Sequence, residues 1–331
     1  MKTMDYQGLA EKSLLGEVLS REEMGGILSA PAEEIPTLLQ ASFRVREHSW
    51  GRKVHLHMLI NARSGLCPED CHYCSQSAVS KASIAKYPLL PRERLLDGAY
   101  RAKAARAVRY CIVTSGRGPT DRDIDQLASI VQEIRERVEI NICCSLGLMT
   151  EGQARCLKAA GVERVNHNLN TSRRFHPAIC TTHTYDDRVR TVENVRRAGL
   201  STCCGGIVGM GETDEDLMDL ALALRELDVA SIPINFLHPI PGTPLEGRRE
   251  LTPERCLNAL CLFRFVNPTK EIRVAGGREL NLGSEQPLAL YPANSLFVNG
   301  YLTTPGQAAA DTHRMIEAHG FGVDDTIPLL P

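Results

Sequence analysis

The chain has 331 residues, 43% hydrophobic and 24% charged, which is long enough for one large core. A formal net charge of −2 gives it no basic face for nucleic acid and no pull toward an anionic membrane surface. No apolar run approaches the ~18 residues of a membrane span. Residues 1–17 are broken by Asp5, Glu11 and Glu17, unlike the apolar heart of a signal peptide, so a cytoplasmic location is the expectation.

Residues 1–50 read as a helical preface, with helix-like apolar spacing at 13–19 and 32–39 and no cofactor motif. From Lys53 onward short apolar runs alternate with amphipathic helices. Strands are expected at 54–61, 109–114, 139–144, 164–168, 201–208, 231–236, 271–275 and 295–298. Helices are expected at 91–107, 121–138, 150–160, 186–198, from Thr213 through Leu227, 252–265, 282–290 and 305–319. In the second of these Ile124, Leu127, Ala128, Val131 and Ile134 fall on one face. Thr213 with Asp216 forms a capping-box pattern, and Thr252-Pro253 is an N-cap followed by proline in the first turn. Eight strand–helix alternations without a long linker imply a parallel sheet closed into a (β/α)8 TIM-type barrel, an α/β fold with an N-terminal helical extension. The domain division is 1–50, 51–320 and a tail at 321–331. In such a barrel functional groups gather at the C-terminal ends of the strands.

The loop leaving the first strand there carries Cys67, Cys71 and Cys74 at the spacing C-x3-C-x2-C. Structural zinc takes four protein ligands and a four-iron cluster usually takes four cysteines. Three thiolates without a fourth nearby point to a cluster with one iron kept open. Structural zinc is the competing reading, with His72 the nearest extra ligand, though its place between Cys71 and Cys74 should point it elsewhere. The chain has 12 cysteines, many for a reducing compartment, where they lean toward metal sites or buried thiols. Cys111, Cys143 and Cys203 lie in strands two, three and five, and Arg273 in strand seven. Alternate strand residues face the barrel axis, so these four can meet inside it. Each cysteine alone is more often a small buried hydrophobe. The doublets Cys143-Cys144 and Cys203-Cys204 leave open which member faces inward. Cys156, Cys256 and Cys261 sit on helices, where packing accounts for them, and Cys180 has no evident partner. Asn166, Asn168 and Asn170 alternate at the end of strand four, suited to a ribose or a ureido group and equally to loop capping. Gly205, Gly206, Gly209 and Gly211 allow close approach to a ligand or a tight turn.

From about residue 50 to 320 the chain resembles the biotin synthases, a family of radical S-adenosylmethionine (SAM) enzymes. The cysteine loop matches the radical SAM motif. The blocks SGLCPEDCHYCSQS, VNHNLNTS, CCGGIVGMGET, IPINFL, IRVAGGRE and ANSLFVNGYLTTPG follow in order. The resemblance implies that Cys67, Cys71 and Cys74 hold a 4Fe-4S cluster whose open iron takes SAM. It implies a 2Fe-2S cluster held by Cys111, Cys143, Cys203 and Arg273, so that Cys144 and Cys204 are not ligands. Asn168 and Asn170 match contacts to SAM ribose and the substrate dethiobiotin. Asn235 matches a contact near the ureido ring, and Thr303 and Thr304 a pair that receives the substrate carboxylate. Some family members carry aspartate where this chain has Asn170, so the charge is lost here. The implied reaction is radical sulfur insertion into dethiobiotin, with a flavodoxin- or ferredoxin-like electron donor and a homodimer. The rival readings are a radical SAM lyase or mutase of related fold, of the hydrogenase-maturation or methylornithine-forming type, and a non-catalytic zinc or iron–sulfur protein.

Overall fold

The computed structural model describes residues 4–326. Three helices come first: α1 (Tyr6–Leu14), α2 (Arg21–Leu28) and α3 (Ile35–Trp50). Helix α1 begins earlier than the spacing suggests, because Asp5 caps it by accepting from the Gly8 amide, and it ends before Gly16, whose φ is +79°. Helix α2 was not expected, yet Ser20 and Glu23 form a full capping box at its start. Helix α3 starts at the second expected segment and runs eleven residues past it, to Trp50.

The barrel follows: β1 (Lys53–Arg63), α4 (Arg92–Ala104), β2 (Arg109–Thr114), α5 (Asp121–Arg137), β3 (Asn141–Ser145), α6 (Glu151–Ala159) and β4 (Arg164–Asn166). Next come α7 (His176–Ile179), α8 (Tyr185–Arg197), β5 (Ser201–Cys203), β6 (Gly206–Val208), α9 (Asp214–Glu226) and β7 (Ser231–Phe236). The chain continues through α10 (Pro253–Val266), β8 (Glu271–Val274), α11 (Arg278–Leu282), β9 (Ser295–Phe297), α12 (Ala309–Ala318) and β10 (Gly322–Val323). Neighbouring strands are parallel in the order β1-β2-β3-β4-β5-β7-β8-β9, and β9 returns to β1 through His55–Ser295 and His57–Phe297. The sheet therefore closes, giving the (β/α)8 barrel expected from the alternation.

Two departures have local causes. The expected fifth strand is split into β5 and β6, which keep one register against β7, with Cys203 opposite Ser231 and Gly206 opposite Ile234. At the break, a Cβ on Gly205 would lie 1.9 Å from the Pro233 carbonyl oxygen, so only glycine allows the strands this close. The expected helix at 282–290 is a 3-10 segment, Gly283–Leu290, with Pro287 inside it.

Helix α10 is mostly apolar, and every residue from Cys256 to Val266 is buried, Asn258 and Arg264 included. Such a helix must be covered on both sides. The barrel covers one; α1, α2 and α3 cover the other, with Ser13 donating to the Phe265 carbonyl at 2.6 Å and Asn258 to that of Ala30 at 2.9 Å. Strand β10 pairs with the start of β1, and Phe321 packs under the Arg46 guanidinium. No helix among the described residues is long and apolar enough to cross a membrane.

Candidate active site

The cysteine loop leaves β1 at the barrel's C-terminal rim. Gly65 makes the turn at φ +68°, its amide donating to the Gln76 side chain at 3.0 Å and its carbonyl accepting from Ser115 at 2.6 Å. Glu69 anchors the middle of the loop, accepting from Thr182 at 2.7 Å and Arg117 at 3.1 Å and contacting His183. Cys71 is buried, while Cys67 and Cys74 are partly exposed. Burial pushes the Cys67 thiol up and takes Cys74 to about 11. His72 donates its backbone amide to the Ile179 carbonyl and joins no cluster of metal-ligating donors among the described residues. Cys180, which had no visible partner in the sequence, lies 3.7 Å from Cys71 sulfur to sulfur. The Cys71 thiol donates to it, which raises Cys71 and lowers Cys180.

All three loop cysteines line one cavity of about 360 Å³ at the rim. Asn168, Asn170, Asn235, Thr303 and Thr304 line the same cavity, so each residue matched to SAM or substrate contact faces it. Asn168 is held by Asn166 at 2.9 Å and by the Gly205 amide at 3.1 Å. Asn170 sits at φ +71°, which asparagine tolerates better than most residues. Its amide oxygen is best oriented toward Tyr73 and Arg188, at 2.5 and 3.2 Å. Asn235 donates to the Gly206 carbonyl at 3.1 Å and accepts from the Gly276 amide at 2.9 Å. Thr303 shares a 2.7 Å hydrogen bond with Ser75 of the cysteine loop, which ties the two walls together. Gly209 and Gly211 are turn residues at φ +99° and +106°, with Glu212 accepting from the Gly209 and Met210 amides.

Below the cavity lies a second set. Cys111 pairs in register with Cys143, and Cys203 and Arg273 come from β5 and β8. All four are buried, while Cys144 and Cys204 point outward into the apolar core with Tyr110 and Ile112. The first member of each doublet thus faces the axis. Val113 and Ser145, two residues beyond Cys111 and Cys143, line the cavity, so the thiols sit roughly 7 Å beneath it. Arg273 reaches the Cys203 sulfur at 3.6 Å, Ser231 at 2.8 Å and Ser295 at 3.1 Å. The Cys111 thiol and burial hold Cys143 well above its ordinary value.

Sequence reasoning missed the charges around this set. Arg109, Arg164 and Glu271 are all buried on the strands. Glu271 contacts Arg273, accepts from Arg164 at 2.9 Å and from Ser231 at 3.0 Å, and lies 3.1 Å from His57 Nε2. Burial alone would raise its carboxyl, but the charges of Arg273 and Arg164 hold it well below the usual range. Burial lowers the Arg109 guanidinium to about 10, and its Nε and Nη2 have no partner. The signal was available: each of these residues falls within an expected barrel strand, where a charge is rarely buried without a partner.

Two family models match the chain, the Radical SAM superfamily over 63–224 and the Biotin and Thiamin Synthesis associated domain over 233–322. The biotin synthase of Geobacillus kaustophilus is 56% identical over 96% of this chain and 95% of its own. That of Bacillus subtilis strain 168 is 54% identical over 96% and 95%. The chain belongs to the biotin synthase family. Among solved structures, a methylornithine synthase superposes with a TM-score of 0.84 over 96% of this chain and 97% of its own, at 20% identity. The hydrogenase maturase HydG of Carboxydothermus hydrogenoformans superposes at 0.78 over 96% and 78%, at 18% identity. These two likenesses concern the fold alone.

The residues present fit the cofactors that membership implies, a 4Fe-4S cluster with SAM and a 2Fe-2S cluster. The rim offers three soft donors on a loop open to a cavity. The barrel interior offers three buried thiols beside three arginines and one carboxylate, with two arginine donors unpartnered. That surplus of positive charge suits an anionic, thiolate-rich group.

Proposed function

We propose that the two thiol sets divide the work of a radical SAM sulfurtransferase that converts dethiobiotin to biotin. Loaded with its cofactors, the site supplies reductive cleavage of SAM to a hydrogen-abstracting radical at the rim and a source of sulfur beneath it. Cys67, Cys71 and Cys74 hold the rim cluster, and Cys111, Cys143, Cys203 and Arg273 hold the interior one. Just beyond the end of β4, Asn168 and Asn170 offer amides to the adenosyl ribose and to dethiobiotin. Tyr73 and Arg188 hold the Asn170 amide oxygen, which fixes the side chain's orientation without aspartate's charge. Asn235 stiffens the wall beside the ureido ring through two backbone bonds. Thr303 and Thr304 receive the substrate carboxylate, placing the substrate between rim and interior. The closed barrel keeps water from a reactive carbon. Arg109 and Arg164 balance interior negative charge, and Glu271 aims Arg273 at Cys203.

One observation carries this reading: a second buried thiol set with its own guanidinium lies roughly two strand residues beneath a cavity lined by the first. A lyase or mutase with only the rim set has no use for it. The electron donor is read as flavodoxin- or ferredoxin-like and the assembly as a homodimer on family resemblance alone, and the location as cytoplasmic from the charged residues that break the segment 1–17. Anaerobic turnover of the reconstituted protein with dethiobiotin, SAM and dithionite, followed by mass spectrometry, tests the reading. Biotin should form together with 5′-deoxyadenosine and methionine. Cleavage of SAM with dethiobiotin recovered unchanged would refute it.

A further inference from the structure

Cys180 takes no part in the reading above, yet the fold holds it against one of the rim ligands. It follows α7, is 1% exposed, and its sulfur lies 3.7 Å from that of Cys71. Its sulfur is also 3.4 Å from His183 Nδ1, and the donor atoms of Cys71, Cys180 and His183 all fall within 4.8 Å of one another. Cys67 and Cys74 do not belong to this set. The two segments are fastened on both sides of the sulfur pair. On one side the His72 amide donates to the Ile179 carbonyl at 3.0 Å. On the other, Asp70 accepts from the Thr181 and Thr182 amides at 2.9 and 3.2 Å, and its own amide donates to Thr182 at 3.2 Å. The pair is thus held in register by one backbone bond on one side and by the Asp70 carboxylate and the Thr182 hydroxyl bonding backbone amides on the other.

We propose that Cys71 and Cys180 form a reversible disulfide in the cluster-free chain, which withholds Cys71 from the rim cluster until it is reduced. This rests on Cys71 being a cluster ligand, as read above. A disulfide needs its sulfurs at about 2.05 Å, so the pair must close by roughly 1.7 Å, within reach of side-chain rotation. The oxidant is a low-molecular-weight disulfide. Cys71 faces the cavity and meets it first. The Cys71 thiol passes its proton to the Cys180 sulfur and attacks one oxidant sulfur, whose S–S bond breaks; the leaving thiolate takes up that proton and departs as one thiol. The Cys180 thiolate then attacks the Cys71 sulfur and releases the second. The two protein thiols lose two protons and two electrons, and the oxidant gains both as two thiols. A dithiol reductant reverses the exchange. Four-iron cluster assembly then needs a reducing step first, because two thiolates remain where three are required.

The test uses the full-length, cluster-free protein under anaerobic conditions with glutathione disulfide. Free thiols are then alkylated and the digest mapped by mass spectrometry. The expected product joins the Cys71 peptide to the Cys180 peptide, lighter by two hydrogens. Oxidised protein should lose loading of the rim cluster with iron and sulfide, and dithiothreitol should restore it. Cys180→Ser given the same oxidant should show no such cross-link and stop at a mixed disulfide on Cys71, which has no Cys180 thiol to resolve it. In the wild type, Cys71 recovered joined to Cys67 or Cys74, or only as a glutathione adduct, would overturn the proposal. So would zinc retained by the wild type and lost in Cys180→Ser with no cross-link, or loading of the oxidised wild type without reduction. Cys71→Ala that never received oxidant checks the ligand reading separately: full loading there removes that reading, while the mapped cross-link stands apart from it.

Discussion

Glu271 is the single carboxylate among the buried charges of the barrel interior, and Glu271→Gln isolates what it does. The substitution keeps volume and one acceptor oxygen but removes the charge that faces Arg164 and Arg273. Both guanidiniums are almost fully buried, 5% and 1% exposed, so water cannot take over. Breaking a buried pair from one side costs about 3–5 kcal/mol, because the remaining charge stays buried and uncompensated. Here two guanidiniums lose their partner, but both keep serine contacts, Arg164 to Ser201 and Arg273 to Ser231 and Ser295. The lower part of that range therefore applies to the isosteric change and the upper part to Glu271→Ala. Unfolding entropy of ~2.1 cal/mol/K per residue over a chain of this length converts 3–5 kcal/mol into a fall in Tm of roughly 4–7 °C. Calorimetry on the cluster-free protein measures it. An unchanged Tm for Glu271→Gln would mean that the carboxylate does not hold these arginines, and the charge account of the interior would fail.

Three further outcomes follow from other parts of the molecule. Asp216 is buried and accepts from Ser172 at 2.6 Å and from the Thr213 amide and hydroxyl at 2.8 Å each. Asp216→Ala removes a helix cap and a buried charged acceptor, and denaturant unfolding should show a loss of about 2–4 kcal/mol. Burial would raise the Asp216 carboxyl, but Ser172, Thr213 and Arg174 hold it below its ordinary 3.8. Its stabilisation is therefore present above that value and lost as pH falls further, so the variant's deficit should shrink in acid titrations of stability. Thr303→Val removes the hydroxyl shared with Ser75 and facing the cavity; the KM for dethiobiotin should rise about five-fold with little change in Tm, as steady-state rates and calorimetry would show.

The barrel was legible because its signals are local and repeated. Apolar strands, amphipathic helices such as α5 and capping pairs such as Thr213 with Asp216 each declare themselves within a few residues. The rim site was legible for the same reason, since its three thiols sit in eight residues. The doublets were not, because adjacent cysteines have identical chemistry and only closure of the sheet decides that Cys143 and Cys203 face inward. Cys180 was opaque for a different reason. Its neighbour Cys71 is 109 residues away, brought there by the fit of the α7 segment against the cysteine loop. The start of α1 was misplaced because a short helix beside Gly16 offers little periodicity, while the Ser20–Glu23 capping box of α2 was readable and overlooked.

The division of labour between rim and interior is tested most directly by Cys143→Ala in anaerobic turnover with dethiobiotin. Both 5′-deoxyadenosine and biotin are followed by mass spectrometry, with iron and sulfide measured on the same sample. The account predicts that the variant keeps its rim cluster and still cleaves SAM, but loses the interior complement of iron and makes no biotin. Biotin formed at the wild-type rate by that variant would contradict it.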